Sequence, residues 1–214
     1  MPDIDRFVNM RDSEPPAELR QYGGRPIVLF AARLIPKKRP QLLLRAFHQT
    51  CDRHDAVLAI VGDAPLRGDL EQTARDLGIK DRVHFAGFVD PADMPRWYAN
   101  ARVFVLPSSE TWGVAVIESL ASGTPVIVSD EVGCHPDVVT DGHLGQVVAV
   151  GRHTAWNAAL ARSLKTSSER PSGDEIRRRF AYQNVVNHLV PAIQEPTPLL
   201  PTQQITLRQF SERS

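Results

Sequence analysis

Short apolar runs alternate with helical patterns from residue 26 onward. The runs consist of β-branched and large aliphatic residues, which is typical of buried strands. They are Ile27–Ala32, Val57–Val61, Val83–Phe85, Val103–Leu106, Val126–Val128 and Gln146–Val148. Apolar residues recur at three- and four-residue steps in Pro40–Cys51, Leu66–Leu77, Asp93–Asn100, Gly113–Ala121, His153–Lys165 and Asp174–Leu189. This alternation of strands and helices predicts a doubly wound, mostly parallel six-stranded α/β sheet.

The two ends of the chain differ from this pattern. Residues 1–24 are rich in charge and proline and end in Gly23-Gly24, which predicts a linker-like connector. Prolines at 191, 196, 198 and 201 interrupt any regular element, so residues 191–214 are predicted to be a loosely ordered, proline-rich tail. Residues 25–190 then form the predicted domain.

Composition narrows the class of protein. A chain of 214 residues is long enough for one α/β domain, and 25 acidic residues against 25 basic residues give no reason to expect a nucleic-acid partner. The apolar runs are far shorter than the roughly 20 residues that cross a bilayer, so no transmembrane segment is expected. The N-terminus lacks the apolar stretch of a secretory signal, and we expect a cytoplasmic protein. Cys51 and Cys134 stand too far apart for a zinc knuckle.

The loop after the first strand carries the first candidate chemistry. Ligands of parallel sheets bind where the strands end, so the loops at that edge are the places to search. Residues 32–39 carry four cations, among them Arg33 and Lys38. Arginine can bind a phosphate with two hydrogen bonds and lysine can add a point charge, which indicates a diphosphate site. A solvated surface loop would have the same composition, and this loop alone does not decide between them.

The next two loops carry weaker signals. Gly62 lies in the turn after the second strand, where a glycine lets backbone approach a ligand closely. Val89 follows the third strand, where main-chain groups could meet the edge of a base. Turns of this kind follow many strands, so neither loop is specific by itself.

The loop after the fourth strand is the most informative. Glu110 precedes the predicted helix and Glu118 lies within it, so the two carboxylates can sit at different depths of one cleft. Gly113 and Val114 between them place N–H groups at a helix start, where an anion is favoured. The simpler alternatives are a surface acid that stabilises a helix N-terminus for Glu110 and an exposed helical glutamate for Glu118.

The segment PSSETWGVAVIESLASGTPVIVSD resembles the signature of retaining glycosyltransferases of family 4 (glycosyltransferase group 1), which have the two-Rossmann-domain GT-B fold. AARLIPKKRP is similar to the phosphate loop of that family, IVGDAPLRGDLE to its second-strand turn and RVHFAGFV to its third strand. These segments occur in the order of the family. The resemblance therefore implies the C-terminal, donor-binding half of a GT-B fold.

The resemblance also implies roles for individual residues. Arg33 and Lys38 would bind the donor diphosphate and act with Glu110 in catalysis. Glu110 would contact hydroxyls of the transferred sugar, and Glu118 would accept hydrogen bonds from ribose. The other donor-binding residues would be Gly62, Val89, Gly113 and Val114. Departures from the family pattern are Arg39, Thr111-Trp112, Cys134-His135 and Asp137, which concern the sugar pocket more than the phosphate site.

No metal or other cofactor is expected beside the nucleotide-sugar donor. Asp3-Ile4-Asp5 has the spelling of a metal-binding Asp-x-Asp motif, but it lies ahead of any predicted strand. His135 follows Cys134 directly, and adjacent residues rarely converge on one ion.

Three functions agree with these residues. In the first, the chain is the donor half of a glycosyltransferase that needs a separate N-terminal acceptor domain on another chain, or self-association, with contact to a membrane only through a partner or acceptor. In the second, it is a non-catalytic nucleotide-sugar-binding module or a truncated gene product. The third is a nucleotide-sugar epimerase. The sequence specifies neither the base, the sugar nor the acceptor.

Overall fold

A computed structural model describes residues 3–165 and 170–180. Within these residues six strands form one sheet in the order β3-β2-β1-β4-β5-β6, and every pairing is parallel. The strands are β1 Ile27–Ala31, β2 Val57–Val61, β3 Val83–Gly87, β4 Val103–Leu106, β5 Val126–Ser129 and β6 Gly145–Val148. The predicted doubly wound parallel sheet is confirmed.

Helices cover both faces of the sheet. They are α1 Ile4–Asn9, α2 Ala17–Arg20, α3 Pro40–His48, α4 Cys51–His54, α5 Arg67–Asp76, α6 Met94–Ala99, α7 Val114–Ala121, α8 His135–Val138, α9 His153–Lys165 and α10 Gly173–Phe180. Strand order reverses between β1 and β4, so the loops that follow these two strands separate to opposite sides and leave a crevice. In open parallel sheets ligands bind at such a switch point. We call the edge at which all six strands end the carboxyl edge.

Alternate residues of β1 supply the two halves of the core. Ile27 and Leu29 are buried on the face that α1, α6 and α7 cover, whereas Val28 and Phe30 are buried on the face that α3, α5 and α9 cover. A central parallel strand is apolar on both sides because both faces of the sheet are covered. The rigid layer that results fixes where the loops of the carboxyl edge begin.

Two predicted helices differ from the structure. The helix predicted for Pro40–Cys51 ends at His48, because the Thr50 hydroxyl bonds to the carbonyls of Ala46 and Phe47 and competes with the next helical turn. The helix predicted for Asp174–Leu189 starts at Gly173 and is described as far as Phe180. Its remaining residues and the predicted tail at 191–214 lie outside the described residues.

The N-terminal segment contains helices that its composition does not predict. Ile4 and Phe7 on α1 and Leu19 on α2 are buried in the core, and the ring of Phe7 lies 6.1 Å from that of Tyr98. These apolar side chains gain more from burial against the sheet than from exposure in an irregular connector. Residues 3–24 are therefore packed onto the domain; whether they also link it to another domain stays a prediction.

Candidate functional site

The loop after β1 turns its cations in different directions. A 3₁₀ turn, Pro36–Lys38, follows the strand and ends in Arg39, whose backbone is left-handed with φ 50°. Arg33 is exposed, and its side chain pairs with no described residue. Lys38 points inward and forms an ion pair with Glu110. Arg33 is thus free to meet an anion, whereas Lys38 already has a carboxylate partner.

The carboxylate of Glu110 is held from two sides in the crevice between β1 and β4. Lys38 donates to Oε1, and the hydroxyl of Ser108 donates to the same oxygen at 2.7 Å. The side chains of Lys38 and Glu110 are each 19% exposed, so the pair is largely shielded from water. Shielding strengthens the attraction and also makes an unpaired partner costly. Two predicted site residues, from loops 72 positions apart, are therefore in direct contact.

Backbone hydrogen bonds fix the main chain around Glu110. Its N–H donates to the carbonyl of Glu131 at 3.1 Å, and its carbonyl accepts from Gly133 at 3.0 Å. This is a parallel bridge between Glu110 and Val132, which extends the pairing of β4 and β5 beyond their ends. A Cβ on Gly133 would lie 2.0 Å from the carbonyl oxygen of Thr111, so only glycine permits this approach. Glu110 is consequently placed by the sheet itself rather than by a loose loop.

Arg39 joins three loops of the carboxyl edge. Its guanidinium donates to the carbonyl of Pro107 at 3.1 Å and to the carboxylate of Glu131 at 2.5 Å. The left-handed backbone of Arg39 is a conformation that glycine adopts without strain and that other residues rarely adopt. Here an arginine accepts the strained conformation and adds side-chain contacts between the loops.

The N-terminus of α7 is open toward the same crevice. Gly113 has φ 106° and makes no side-chain cap, so the N–H groups at the start of the helix lack a side-chain acceptor. A Cβ on Gly113 would lie 2.7 Å from Val132, which explains the glycine independently of any ligand. N–H groups without a side-chain cap and the positive end of the helix dipole favour an anion at this place. The predicted use of Gly113 and Val114 for phosphate contact fits this geometry and stays a prediction.

Glu118 is half-buried rather than an exposed helical glutamate, so the simpler alternative is wrong. Its Oε2 accepts a hydrogen bond from the hydroxyl of Tyr98 at 3.3 Å. Burial raises the pKa of the Glu118 carboxyl, and this effect is opposed by the Tyr98 hydrogen bond and by the positive charge of Arg6. A half-buried acid with specific partners is typical of a functional site.

We expect Glu118→Gln to unfold at a higher temperature than the parent at neutral pH, in the absence of ligand. Because the folded pKa of Glu118 is raised, its contribution to stability is complete below the ordinary carboxyl pKa and is lost as pH rises through the raised value. The amide removes this loss, so the difference should appear only on the neutral side. Calorimetry across pH measures it, with Glu18→Gln on the exposed face of α2 as control. A variant less stable than the parent at neutral pH would contradict the prediction.

The loops after β2 and β3 are held against the loop after β1. Gly62 has φ 125°, its N–H donates to the carbonyl of Gly87 at 2.7 Å, and a Cβ there would lie 2.1 Å from the carbonyl oxygen of Ala32. The close approach of two loops thus accounts for Gly62, and its contact with a donor stays a prediction. Val89 packs partly against the core, while the neighbouring ring of Phe88 is 80% exposed. At the predicted base site the side chain of Val89 is therefore packed, whereas that of Phe88 is exposed.

Helix α1 reaches this part of the site, which the sequence analysis missed. The guanidinium of Arg6 donates to the carbonyl of Pro91, in the loop after β3, at 3.2 Å. Tyr98, on α6, is buried in the core and also turns its hydroxyl to Glu118. No spacing or composition signal in the sequence marks either residue, because both contacts depend on how helices pack on the sheet.

Asp3 and Asp5, the two aspartates of the Asp-x-Asp motif, each contact another residue of the domain. Asp3 accepts from the N–H of Arg6 at 3.2 Å and caps α1, and Asp5 pairs with Arg177 at 2.7 Å. Cys134 is buried, and burial raises the pKa of its thiol to about 11. Over residues 3–165 and 170–180, no group of three or more His, Cys, Asp or Glu side chains is arranged to hold a metal ion. None of the described helices has the length and apolar content to span a membrane.

The fold and the switch-point crevice define a Rossmann-like domain of the GT-B type. The model of the family "Glycosyl transferases group 1" matches residues 12–184, and the chain belongs to this family. It corresponds to the C-terminal-type domain of the GT-B fold, as the sequence resemblance predicts. The chain is therefore related to enzymes that catalyse glycosyl transfer.

Two similar proteins differ in the substrates that their names give. The chain is 34% identical over 158 residues to the GDP-mannose-dependent alpha-(1-6)-phosphatidylinositol monomannoside mannosyltransferase of Mycolicibacterium smegmatis, covering 68% of this chain and 41% of the relative. It is 38% identical over 156 residues to the D-inositol 3-phosphate glycosyltransferase of Streptomyces coelicolor, covering 68% and 33%. The chain thus spans about two fifths or less of these relatives.

A solved structure shows the same fold. Anabaena HepE in complex with UDP and glucose superimposes with a TM-score of 0.69 at 21% identity, over 88% of this chain and 55% of that one. At this level of identity the likeness concerns the fold alone.

Proposed function

We propose that this chain binds a nucleoside-diphosphate sugar at the carboxyl edge and presents it for retaining glycosyl transfer. The observation that carries the proposal is the contact between Lys38 and Glu110 across the switch point. It brings a cation suited to phosphate and a carboxylate suited to sugar hydroxyls into one crevice. The names of similar proteins agree, since one depends on GDP-mannose and another was solved with UDP and glucose.

Donor binding exchanges partners within this crevice. The diphosphate takes the ammonium of Lys38, and Glu110 turns to the hydroxyls of the transferred sugar. Arg33, which pairs with no described residue, adds a second cation, and the N-terminus of α7 adds N–H donors. In this proposal the Lys38–Glu110 ion pair holds the two groups next to each other at the place where the donor binds.

The same groups stabilise the charge that develops during transfer. The bond between the anomeric carbon and the diphosphate breaks, and its electron pair leaves with the diphosphate oxygen. Lys38, Arg33 and the start of α7 stabilise that negative charge while the anomeric carbon becomes cation-like. The acceptor hydroxyl then forms the new bond on the face that the diphosphate left, and its proton passes to the departing diphosphate.

Transfer by this route needs a facing domain that holds the acceptor. Among the described residues, exposed large apolar side chains include Phe88, Trp112 and Val114, and all three lie at the carboxyl edge. An apolar rim around a polar crevice is typical of a surface that another domain covers. Closure of such a domain brings the reactants together and excludes water.

Glu110→Ala is expected to weaken binding of the nucleotide sugar by roughly tenfold while leaving the free nucleoside diphosphate bound at least as tightly. Glu110 would contact only the sugar, and its removal frees Lys38 for phosphate. Titration calorimetry with both ligands measures the difference. Glu118→Ala is the comparison, since ribose is common to both ligands and both should weaken. Equal losses for the two ligands in Glu110→Ala would remove this residue from the sugar pocket.

We further propose that donor binding is independent of divalent cations, because fixed cations already face the diphosphate. Binding is measured by calorimetry before and after chelation, and the dissociation constant should change by less than about twofold. Loss of binding in chelator that manganese restores would contradict this proposal.

The direct test of the proposed function has two stages. Thermal shift with nucleoside diphosphates and their sugars first identifies the donor, which should raise the unfolding temperature. The 214 residues are then incubated with that donor and acceptors, with and without candidate N-terminal domains, and glycosylation is followed by mass spectrometry. Transfer should require the second domain. If no nucleotide stabilises the protein, the proposed function is wrong; if transfer needs no added domain, the facing-domain requirement is wrong.

A further inference from the structure

Glu118 is a predicted site residue whose carboxylate contacts a group outside the loops of the carboxyl edge. It lies in α7, and the neighbouring helices α1 and α6 pack against that helix. The hydroxyl of Tyr98, on α6, donates to its Oε2 at 3.3 Å. Arg6, on α1, supplies a positive charge that acts on the same carboxylate. Two helices therefore act on a residue to which neither belongs.

The position of Tyr98 is fixed by the packing of its ring and by a backbone hydrogen bond. Its ring is buried, lies 5.3 Å from the ring of Phe104 at 86°, and meets Phe7 on α1. Its carbonyl accepts a hydrogen bond from Thr124 at 2.6 Å. A phenol in such a place normally requires a polar partner, and Glu118 is the partner it has. The oxygen that Tyr98 holds leaves the other carboxylate oxygen available for a ligand.

Arg6 joins α1 to the loop that follows β3. It donates to the carbonyl of Pro91 at 3.2 Å, so its guanidinium stays close to the carboxyl edge. Two arginines of α10, which also packs on α7, pair with carboxylates other than Glu118. Arg177 pairs with Asp5 and Asp174, and Arg179 pairs with Glu175 and Asp141.

We propose that Tyr98 is a positioning residue for Glu118: its hydroxyl orients the carboxylate, so that ribose hydroxyls meet an oriented anion. This inference rests on the proposed function, since it presupposes a nucleotide at the site. It gives helix α6 a part in donor recognition. Removal of the Tyr98 hydroxyl is expected to raise the pKa of Glu118 further, because its hydrogen bond opposes the effect of burial.

Tyr98→Phe is the decisive variant, because it removes one oxygen and keeps the packed ring. Binding of UDP, or of GDP if the parent prefers it, should weaken about two- to tenfold. The pH at which binding is lost on acidification should move upward relative to the parent. The 2′,3′-dideoxy analogue lacks the ribose hydroxyls, so parent and variant should bind it equally well. Tyr22→Phe removes a hydroxyl that contacts His84 and serves as the matched control.

The outcomes separate the two levels of inference. If the parent binds no nucleotide, the proposed function fails and this inference fails with it. If the parent binds and Tyr98→Phe changes neither the affinity nor the pH profile, the positioning role alone is overturned. An equal loss for UDP and its dideoxy analogue shows a merely structural effect and also overturns it.

Discussion

Replacing Lys38 with alanine is expected to weaken nucleoside-diphosphate binding by roughly ten- to hundredfold. A charge-assisted hydrogen bond contributes about 1.5 to 3 kcal/mol, and Lys38 is the shielded cation of the crevice. Arg33→Ala should act in the same direction with less effect on folding, since Arg33 is exposed and pairs with no described residue. Titration calorimetry gives both affinities.

The neighbouring lysine is the control for this prediction. Lys37 is exposed in the same turn, so Lys37→Ala removes an equal charge without entering the crevice. It should change affinity by about twofold or less. Lys38→Ala also leaves Glu110 unpaired, so its unfolding is followed by denaturant titration to separate lost binding from lost stability. If folded Lys38→Ala binds the diphosphate like the parent, the assignment of the phosphate site is wrong.

Gly62→Ala is expected to lower the free energy of unfolding by about 3 kcal/mol or more. The new Cβ would lie 2.1 Å from the carbonyl oxygen of Ala32, and the backbone has φ 125°, where side chains are strained. Relief of the clash must move the loop after β1, which carries the proposed phosphate cations. Denaturant titration measures the stability, and nucleotide affinity should fall with it.

Gly142→Ala is the comparison for this change, because a Cβ there has no neighbour within 4 Å. It should alter stability by about 0.5 kcal/mol or less. A Gly62→Ala protein as stable as Gly142→Ala would show that the loops can separate without loss, and the rigid arrangement of the carboxyl edge would have to be given up.

The fold could be predicted because its signals are local. Runs such as Val57–Val61 and Val103–Leu106 have the same bounds in the sequence pattern and in the structure, since a strand buried on both faces is apolar throughout. The end of α3 could not be predicted, because it depends on the hydroxyl of Thr50, which donates to two backbone carbonyls of the helix. Helices α1 and α2 could not be predicted either, because their burial depends on a few apolar side chains and on how these pack against the sheet.

The candidate site divides in a similar way. The resemblance to the family assigned Glu110 and Lys38 separate roles, and the structure adds that their side chains contact each other. That contact depends on strand order, which alternation alone does not specify. In the sequence, Tyr98 contributes only an apolar position to a helical pattern. Nothing in the sequence distinguishes a buried tyrosine whose hydroxyl forms a hydrogen bond from any other aromatic residue of the core.

The bond between Lys38 and Glu110 also has a consequence for turnover. In the proposed donor complex Glu110 binds the sugar, so after transfer its carboxylate is available to compete with the remaining diphosphate for the ammonium of Lys38. We expect this competition to speed release of the nucleoside diphosphate after each transfer. A site built from cations alone would hold the product as strongly as the donor, and the rate of the next cycle would fall as product accumulated.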